Sequence, residues 1–172
     1  MKLIGELTDR TVLGREGLSK KKPRRTSRAI LINEEGLYAV IQTRRMRLHS
    51  FPGGGIERRE TEEEALKREI LEETGCECDE IEPLGKIYEN RNHANYTALS
   101  YYYVVHTKTK EGKPNYTKGE VYLGTSIKWC TLEEAERLIK DIIHDTDQKK
   151  FLQARDVLAL KEYRERFLEG GN

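Results

Sequence analysis

A glycine-rich stretch followed by an acidic helix constrains the fold of this chain most. Residues 53–55 are all glycine, and Thr61 lies three residues before Glu64. A threonine with a glutamate three residues later forms the capping box that begins a helix, and Gly75 supplies a left-handed C-terminal stop. Glycines allow the backbone to turn tightly at the helix entrance. The pattern therefore predicts a glycine-rich turn that leads into a helix over residues 61–74.

Three glutamates lie on one face of this predicted helix. Glu69, Glu72 and Glu73 span an arc of about 100°, because residues three and four apart share a helical face. Like charges this close repel one another, and a hard divalent cation removes the repulsion through carboxylate ligands. Arg68 can pair with a glutamate and hold its orientation. For three glutamates alone, an acidic face that simply meets solvent is the more common arrangement.

The spacing of the whole segment resembles a known signature. The pattern G-x5-E-x7-R-E-U-x-E-E-x-G-U, in which U is apolar, is that of the Nudix (MutT-type) hydrolase family. Cys76 stands where an aliphatic residue is usual, and cysteine is itself a small apolar group that can be buried. The similarity in sequence pattern covers roughly residues 27–139. The matching positions are Gly54, Glu60, Arg68, Glu69, Ile70, Glu72, Glu73 and Gly75.

This resemblance implies a fold, a reaction and a cofactor. The fold is an α/β/α sandwich with a mixed β-sheet. The reaction is attack of water on phosphorus in a nucleoside diphosphate derivative, with Mg²⁺ or Mn²⁺ as cofactor. Glu60 and Arg68 would support the ligands, and Glu69 is a candidate to take the water's proton, although family members differ in which carboxylate does so. The implied metal ligands are Glu69, Glu72, Glu73 and the backbone carbonyl of Gly53.

Residues outside the signature complete the candidate site. Many family members add an acidic residue from a loop near the end of the sheet, and Glu120, or less favourably Glu111, lies in such a predicted loop. The window after the helix lacks the proline associated with ADP-ribose and the tyrosine associated with dinucleoside polyphosphates, so the substrate stays open. The basic candidates for substrate binding are Arg44, Arg45, Arg91 and His93.

Hydrophobic patterning predicts the remaining elements. Residues 29–32 and 37–41 indicate a β-hairpin, and residues 96–108 and 125–130 indicate two further strands. Thr131 and Glu134 repeat the capping-box pattern. The strands and helices follow no regular order, which favours a mixed sheet packed between helices. We expect one domain over residues 1–172, with strands and loops in an extension at 1–26 and a C-terminal helix at 147–168 that caps the sheet or forms a homodimer contact.

Composition limits the partners. The formal net charge is +1, so no overall attraction to a polyanion is expected. The basic run Lys20–Arg25 is more typical of a solvated linker than of a nucleic-acid site. No apolar run approaches the ~18 residues that span a bilayer, and no signal-peptide stretch is present, which predicts a cytoplasmic location. Three cysteines do not suit a disulfide framework, and we expect reduced thiols.

Two alternative functions stay open at this stage. Removal of pyrophosphate from the 5′ end of RNA is motivated by the basic run and by the arginine-rich segment near Arg44. The second alternative is a domain that binds and senses a nucleotide without cleaving it. The intact signature argues against this alternative.

Overall fold

The computed structural model of the chain describes residues 1–170. Within them, eight strands form one mixed sheet and five helices pack around it. The strands are β1 (Leu3–Thr8), β2 (Arg24–Ile32), β3 (Tyr38–Thr43), β4 (Leu48–Ser50), β5 (Gly53–Gly55), β6 (Cys78–Arg91), β7 (Tyr96–Thr107) and β8 (Thr125–Cys130). The helices are α1 (Asp9–Leu13), α2 (Glu62–Thr74), α3 (Lys118–Leu123), α4 (Leu132–Lys140) and α5 (Asp147–Tyr163), and a π-helical turn at Arg164–Leu168 continues α5.

The sheet combines parallel and antiparallel pairs. Its order is β1-β6-β7-β2-β3-β4, while β5 pairs with β2 and β8 pairs with β3. The pairs β1–β6 and β2–β7 are parallel, and the other pairs are antiparallel. The predicted mixed sheet is confirmed.

The predicted hairpin forms only at its turn. Strands β2 and β3 pair at Ile32 and Tyr38 and then separate. Strand β5 pairs with the part of β2 that β3 leaves free, and Gly53 there pairs with Arg28. Strand β3 pairs instead with β4 and β8. The Ala29 amide donates to the Pro52 carbonyl at 3.0 Å. This separation brings the glycine strand against the middle of the sheet.

Helices cover both faces of the sheet. Alternate residues of β7 point to opposite sides, so Tyr102 packs with Phe151 of α5 and Tyr103 packs with Leu66 and Ile70 of α2. Leu66 and Ile70 are fully buried. Burial of each side chain stabilises the fold by about 1.5–3 kcal/mol. These contacts establish the predicted α/β/α layers.

The signature helix is capped at both ends. The Thr61 hydroxyl accepts from the Glu64 amide at 3.2 Å, and the Glu64 carboxylate accepts from the Thr61 amide at 2.8 Å. Gly75 has a φ of 70°, as a left-handed helix stop requires. Helix α4 shows only half of the predicted box, because the Glu134 carboxylate pairs with Lys128 at 2.5 Å instead.

Two parts of the chain differ from prediction. Strand β2 begins at Arg24, inside the stretch assigned to the extension, and β1 pairs in parallel with β6 at the sheet edge. Strand β6 was not predicted, because Pro83 and Gly85 interrupt its pattern where the pairing shifts register. No helix within residues 1–170 is both long enough and apolar enough to cross a bilayer.

Candidate active site

The glycine strand β5 meets the carboxylates of α2 at very short range. The Gly53 amide donates to the Glu73 carboxylate at 2.7 Å. Gly53 has a φ of 132°, and a Cβ there would lie 2.2 Å from the Ser27 carbonyl oxygen. A Cβ on Gly54 would lie 2.3 Å from the Glu69 carboxylate. Glycine at position 53 thus lets β5 lie against β2, and glycine at position 54 leaves room for the Glu69 carboxylate in its present position.

Arg68 holds four groups of the site together. Its guanidinium donates to both carboxylate oxygens of Glu60, at 2.7 and 3.0 Å, and to the Gly55 carbonyl at 2.9 Å. It also donates to Glu69 at 2.8 Å and to Glu72 at 3.3 Å. The bonds from Arg68 lower the pKa of Glu60 to about 2. Arg68 and Glu60 thus occupy the supporting positions that the signature implies.

Acidic side chains are concentrated where α2 faces β5. Burial raises the pKa of Glu73 to about 8, although the Gly53 amide and the Arg28 charge act in the opposite direction. Burial also raises the pKa of Glu69, against the effect of Arg68. The neighbouring Glu69 and Glu120 carboxylates add to the rise at Glu73. Enclosed carboxylates that repel one another form a donor set suited to a hard divalent cation.

The carboxylates fit a divalent cation in type but are not grouped as a ready ligand cage. Among residues 1–170, no three acidic, histidine or cysteine side chains converge closely enough to hold an ion as they stand. Glu69 and Glu72 turn toward Arg68, and Glu73 turns toward the Gly53 amide. The role of the Gly53 carbonyl as a ligand stays a prediction.

Glu120 lies in a short helix and not in a loop as predicted. Its carboxylate accepts from the Thr117 amide and hydroxyl, both at 2.7 Å, and so caps α3. Its charge still acts on Glu73. The Tyr116 hydroxyl is buried near the Ile127 backbone, and the charges of Glu73 and Glu120 act on it. Tyr116 is therefore a candidate site residue that the sequence pattern did not single out. Glu111, the less favoured alternative to Glu120, lies exposed in the loop before α3.

A cavity of about 400 Å³ opens beside Gly54 and Gly55. It holds two of the basic residues predicted to bind substrate, Arg91 and His93. Four further charged residues that were not predicted to bind substrate also line it. These residues, from β2, β6 and α5, are Arg24, Arg28, Glu89 and Arg155.

The other two predicted basic residues lie elsewhere. Arg44 lines a different cavity together with Arg47 and His49. The Arg45 guanidinium lies 4.2 Å from the centre of the Tyr122 ring. The structure therefore does not bring Arg44 and Arg45 to the cavity beside the glycine strand.

The basic run Lys20–Arg25 is not a solvated linker throughout. The Ser19 amide donates to the Asn90 side chain at 2.8 Å, and the Lys21 carbonyl accepts from Thr97 at 2.9 Å. These bonds hold the run across the ends of β6 and β7, and its final residues enter β2. Arg24 lines the cavity there. The alternation of Arg24, Thr26 and Arg28 is the sequence feature that could have revealed a common cavity-facing side of β2.

The mixed sheet lies between helices, and a glycine-rich segment leads into an acidic helix that Arg68 and Glu60 support. These features define the class of α/β/α domains whose site is a loop–helix–loop segment that carries several carboxylates. The Nudix domain family model matches residues 22–154 of the chain. The chain belongs to the Nudix family.

An RNA pyrophosphohydrolase from Marinomonas sp. (strain MWYL1) is 42% identical over 57 residues, which cover 33% of this chain and 35% of that protein. The match thus spans about a third of the length of this curated relative. A Nudix hydrolase from Nitrosomonas europaea has a TM-score of 0.63 at 19% identity, with 84% of this chain and 90% of that chain covered. The Nudix domain of Shewanella oneidensis NrtR, complexed with ADP ribose, has a TM-score of 0.60 at 18% identity, with 85% and 89% covered.

These comparisons confirm the predicted family and fold. Because the two solved structures are only 19% and 18% identical to this chain, they are evidence for the fold alone. The expected enzyme class, a hydrolase, is confirmed at the level of the family.

Proposed function

We propose that the chain is a divalent-metal-dependent hydrolase that cleaves the diphosphate linkage of a nucleotide or nucleoside diphosphate derivative. One observation carries this proposal. The carboxylates of Glu69 and Glu73 are held against the glycine strand, and this strand itself borders a cavity that four arginines line. Such a cavity matches the charge of a diphosphate, and arginine binds phosphate oxygens in a bidentate manner.

The cofactor would be Mg²⁺ or Mn²⁺, held by Glu69, Glu72 and Glu73. When bound, such an ion neutralises phosphate oxygens and lowers the pKa of a coordinated water. Arg68 keeps Glu69 and Glu72 in place, and Arg28 faces Glu73 from the cavity side. Loss of such supporting contacts typically costs about 10–100-fold in metal affinity or activity.

The chemical step is hydrolysis of a phosphoanhydride. The water oxygen forms a bond to phosphorus, and the bond between that phosphorus and the bridging oxygen breaks. One proton of the water passes to a carboxylate, for which Glu69 is our candidate, and the bridging oxygen leaves with the second phosphate. Arg24 and Arg28 would bind the non-bridging phosphate oxygens beside Gly54 and Gly55.

A substrate panel tests this proposal. Nucleoside triphosphates, dinucleotides and nucleoside diphosphate derivatives are incubated with Mg²⁺ or Mn²⁺, and product release is measured. We expect turnover by the wild-type chain and a loss of at least about 100-fold for Glu72→Gln and Glu73→Gln. The matched control is Glu63→Gln, an exposed glutamate on the same helix. Inactivity on the whole panel, or unchanged turnover in the two site variants, contradicts the proposal.

A second candidate is removal of pyrophosphate from the 5′ end of RNA. The observation that favours it is the position of Lys20–Lys22, exposed and held where the chain enters the cavity through Arg24. The relative named RNA pyrophosphohydrolase supports the same candidate. It predicts that triphosphorylated RNA competes well against free nucleotides and that added salt weakens this advantage. Equal cleavage of free nucleotides at all salt concentrations contradicts it.

A further inference from the structure

The cavity extends across several strands from the glycine strand. At this end of the sheet the strands lie in the order β5, β2, β7 and β6. Gly54 of β5 and Arg91 of β6 both line the cavity, and three strand spacings separate them. At ~4.8 Å per spacing, the two strands lie about 14 Å apart across the sheet, and Arg91 also lies five residues along β6 from Lys86, which is level with Gly54. A diphosphate alone is too short to contact both ends.

A buried acceptor without a hydrogen-bond partner lies at the β6 end. Glu89 is fully buried, and one of its carboxylate oxygens accepts two bonds from Arg91, at 3.0 and 2.5 Å. The other oxygen has no hydrogen-bond partner, and the Arg155 guanidinium lies 3.7 Å from it. Buried acceptors nearly always accept a hydrogen bond, so we expect a ligand in the cavity to supply the donor for this oxygen. A sugar hydroxyl has the required chemistry.

The N-terminal extension fixes a second group at the same end. The Asp9 carboxylate of α1 accepts from the His93 amide at 2.7 Å and lies 2.8 Å from His93 Nδ1. Asp9 is only 1% exposed. Since the carboxylate engages Nδ1, Nε2 is the ring nitrogen left for a ligand. A phosphate oxygen would accept a hydrogen bond from Nε2 whenever that nitrogen carries a proton.

We propose that Glu89, Arg91 and His93 form a subsite for the sugar-phosphate that follows the first nucleoside, so that the preferred substrate extends beyond a mononucleotide by at least one phosphodiester. This inference rests on the proposed function of the same site. Asp9 is a positioning residue, because it acts through His93. It lies outside the stretch that matches the family, residues 22–154, so the subsite depends on this chain's own extension.

Steady-state kinetics with a matched pair of compounds test the subsite. The probes are a 5′-triphosphorylated dinucleotide and the triphosphorylated mononucleotide that it begins with. We expect wild-type kcat/KM to favour the dinucleotide by about tenfold or more, as one charge-assisted hydrogen bond allows. His93→Gln and Asp9→Asn should abolish this preference through the KM for the dinucleotide. Exposed residues on other parts of the sheet provide the controls His106→Gln and Asp79→Asn, which should keep it.

Binding in the presence of EDTA separates this inference from the proposed function. Dinucleotide binding is measured by calorimetry, and the His93 ring nitrogens are followed by ¹⁵N NMR. We expect a protonated Nδ1 in the wild-type chain, a shift of Nε2 on dinucleotide binding, and loss of both in Asp9→Asn. Preserved dinucleotide preference without turnover contradicts the hydrolase proposal alone. Equal binding of the two probes, or an Nε2 signal that the dinucleotide does not shift, overturns the subsite.

Discussion

The substitution Gly54→Ala tests the close approach of α2 to the glycine strand. Its Cβ would lie 2.3 Å from the Glu69 carboxylate, whereas an ordinary contact begins at 3.4 Å. The carboxylate must therefore move by about 1 Å. The backbone of Gly54 itself is unstrained, since its φ is not positive. The substitution thus acts on the position of Glu69 and hardly on the backbone.

The expected effect follows from this displacement. A misplacement of about 1 Å in a catalytic site costs about 100-fold in rate, which corresponds to ~2.7 kcal/mol of transition-state stabilisation. The cost in folding stability should be below about 1 kcal/mol, because the displaced atoms are the end of a flexible side chain. The measurements are kcat/KM on the best compound of the panel and the melting temperature by scanning fluorimetry.

The matched control is Gly119→Ala in helix α3. Its Cβ would meet Thr117 at 3.9 Å, an ordinary contact, and alanine favours a helix over glycine. This variant should keep wild-type activity and stability. If Gly54→Ala also keeps wild-type kcat/KM, the Glu69 carboxylate does not act from the position described here.

Three further substitutions probe the frame of the site. Gly75→Ala should lower the free energy of unfolding by more than about 1 kcal/mol, measured by urea titration, because φ is +70° and the Cβ would lie 2.2 Å from the Lys113 backbone. Arg68→Lys should lower kcat/KM by about 10–100-fold in the panel assay, because lysine cannot reproduce the forked bonds. Tyr102→Phe should destabilise the fold by about 1–3 kcal/mol by thermal unfolding, because the hydroxyl bonded to buried Asp156 is lost.

Each of these has an outcome that contradicts its reasoning. Unchanged urea midpoints in Gly75→Ala would mean that the loop at Lys113 does not pack on the helix end. Wild-type activity in Arg68→Lys would mean that a single positive charge suffices. An unchanged melting temperature in Tyr102→Phe would mean that the bond to Asp156 contributes no net stability.

The signature helix could be predicted from sequence because its determinants are local. Thr61, Glu64 and Gly75 act within one or two turns of the helix, and the spacing of Arg68 and Glu69 follows from helical geometry. The family resemblance then supplied the sheet and the expected layers. The helix and the sheet could therefore be predicted without knowledge of contacts between residues distant in sequence.

The cavity could not be predicted in the same way. Asp9 and His93 are 84 residues apart in sequence, and Tyr102 and Asp156 are 54 apart. Only the parallel pairing of β1 with β6 and the packing of α5 bring such residues together. Arg44 illustrates the reverse case, since nearness in sequence to the glycine strand suggested a phosphate contact and the chain instead turns it into a different cavity.

Hydrolysis in ¹⁸O-labelled water shows whether water attacks phosphorus in a metal-dependent reaction. A nucleoside diphosphate derivative that the wild-type chain turns over is incubated with Mg²⁺ or Mn²⁺ in labelled water, and the products are analysed by mass spectrometry. We expect one ¹⁸O atom in a single phosphate-containing product per turnover, with no reaction in EDTA and recovery when the metal is restored. Turnover that persists in EDTA, or label bonded to carbon and not to phosphorus, contradicts this mechanism.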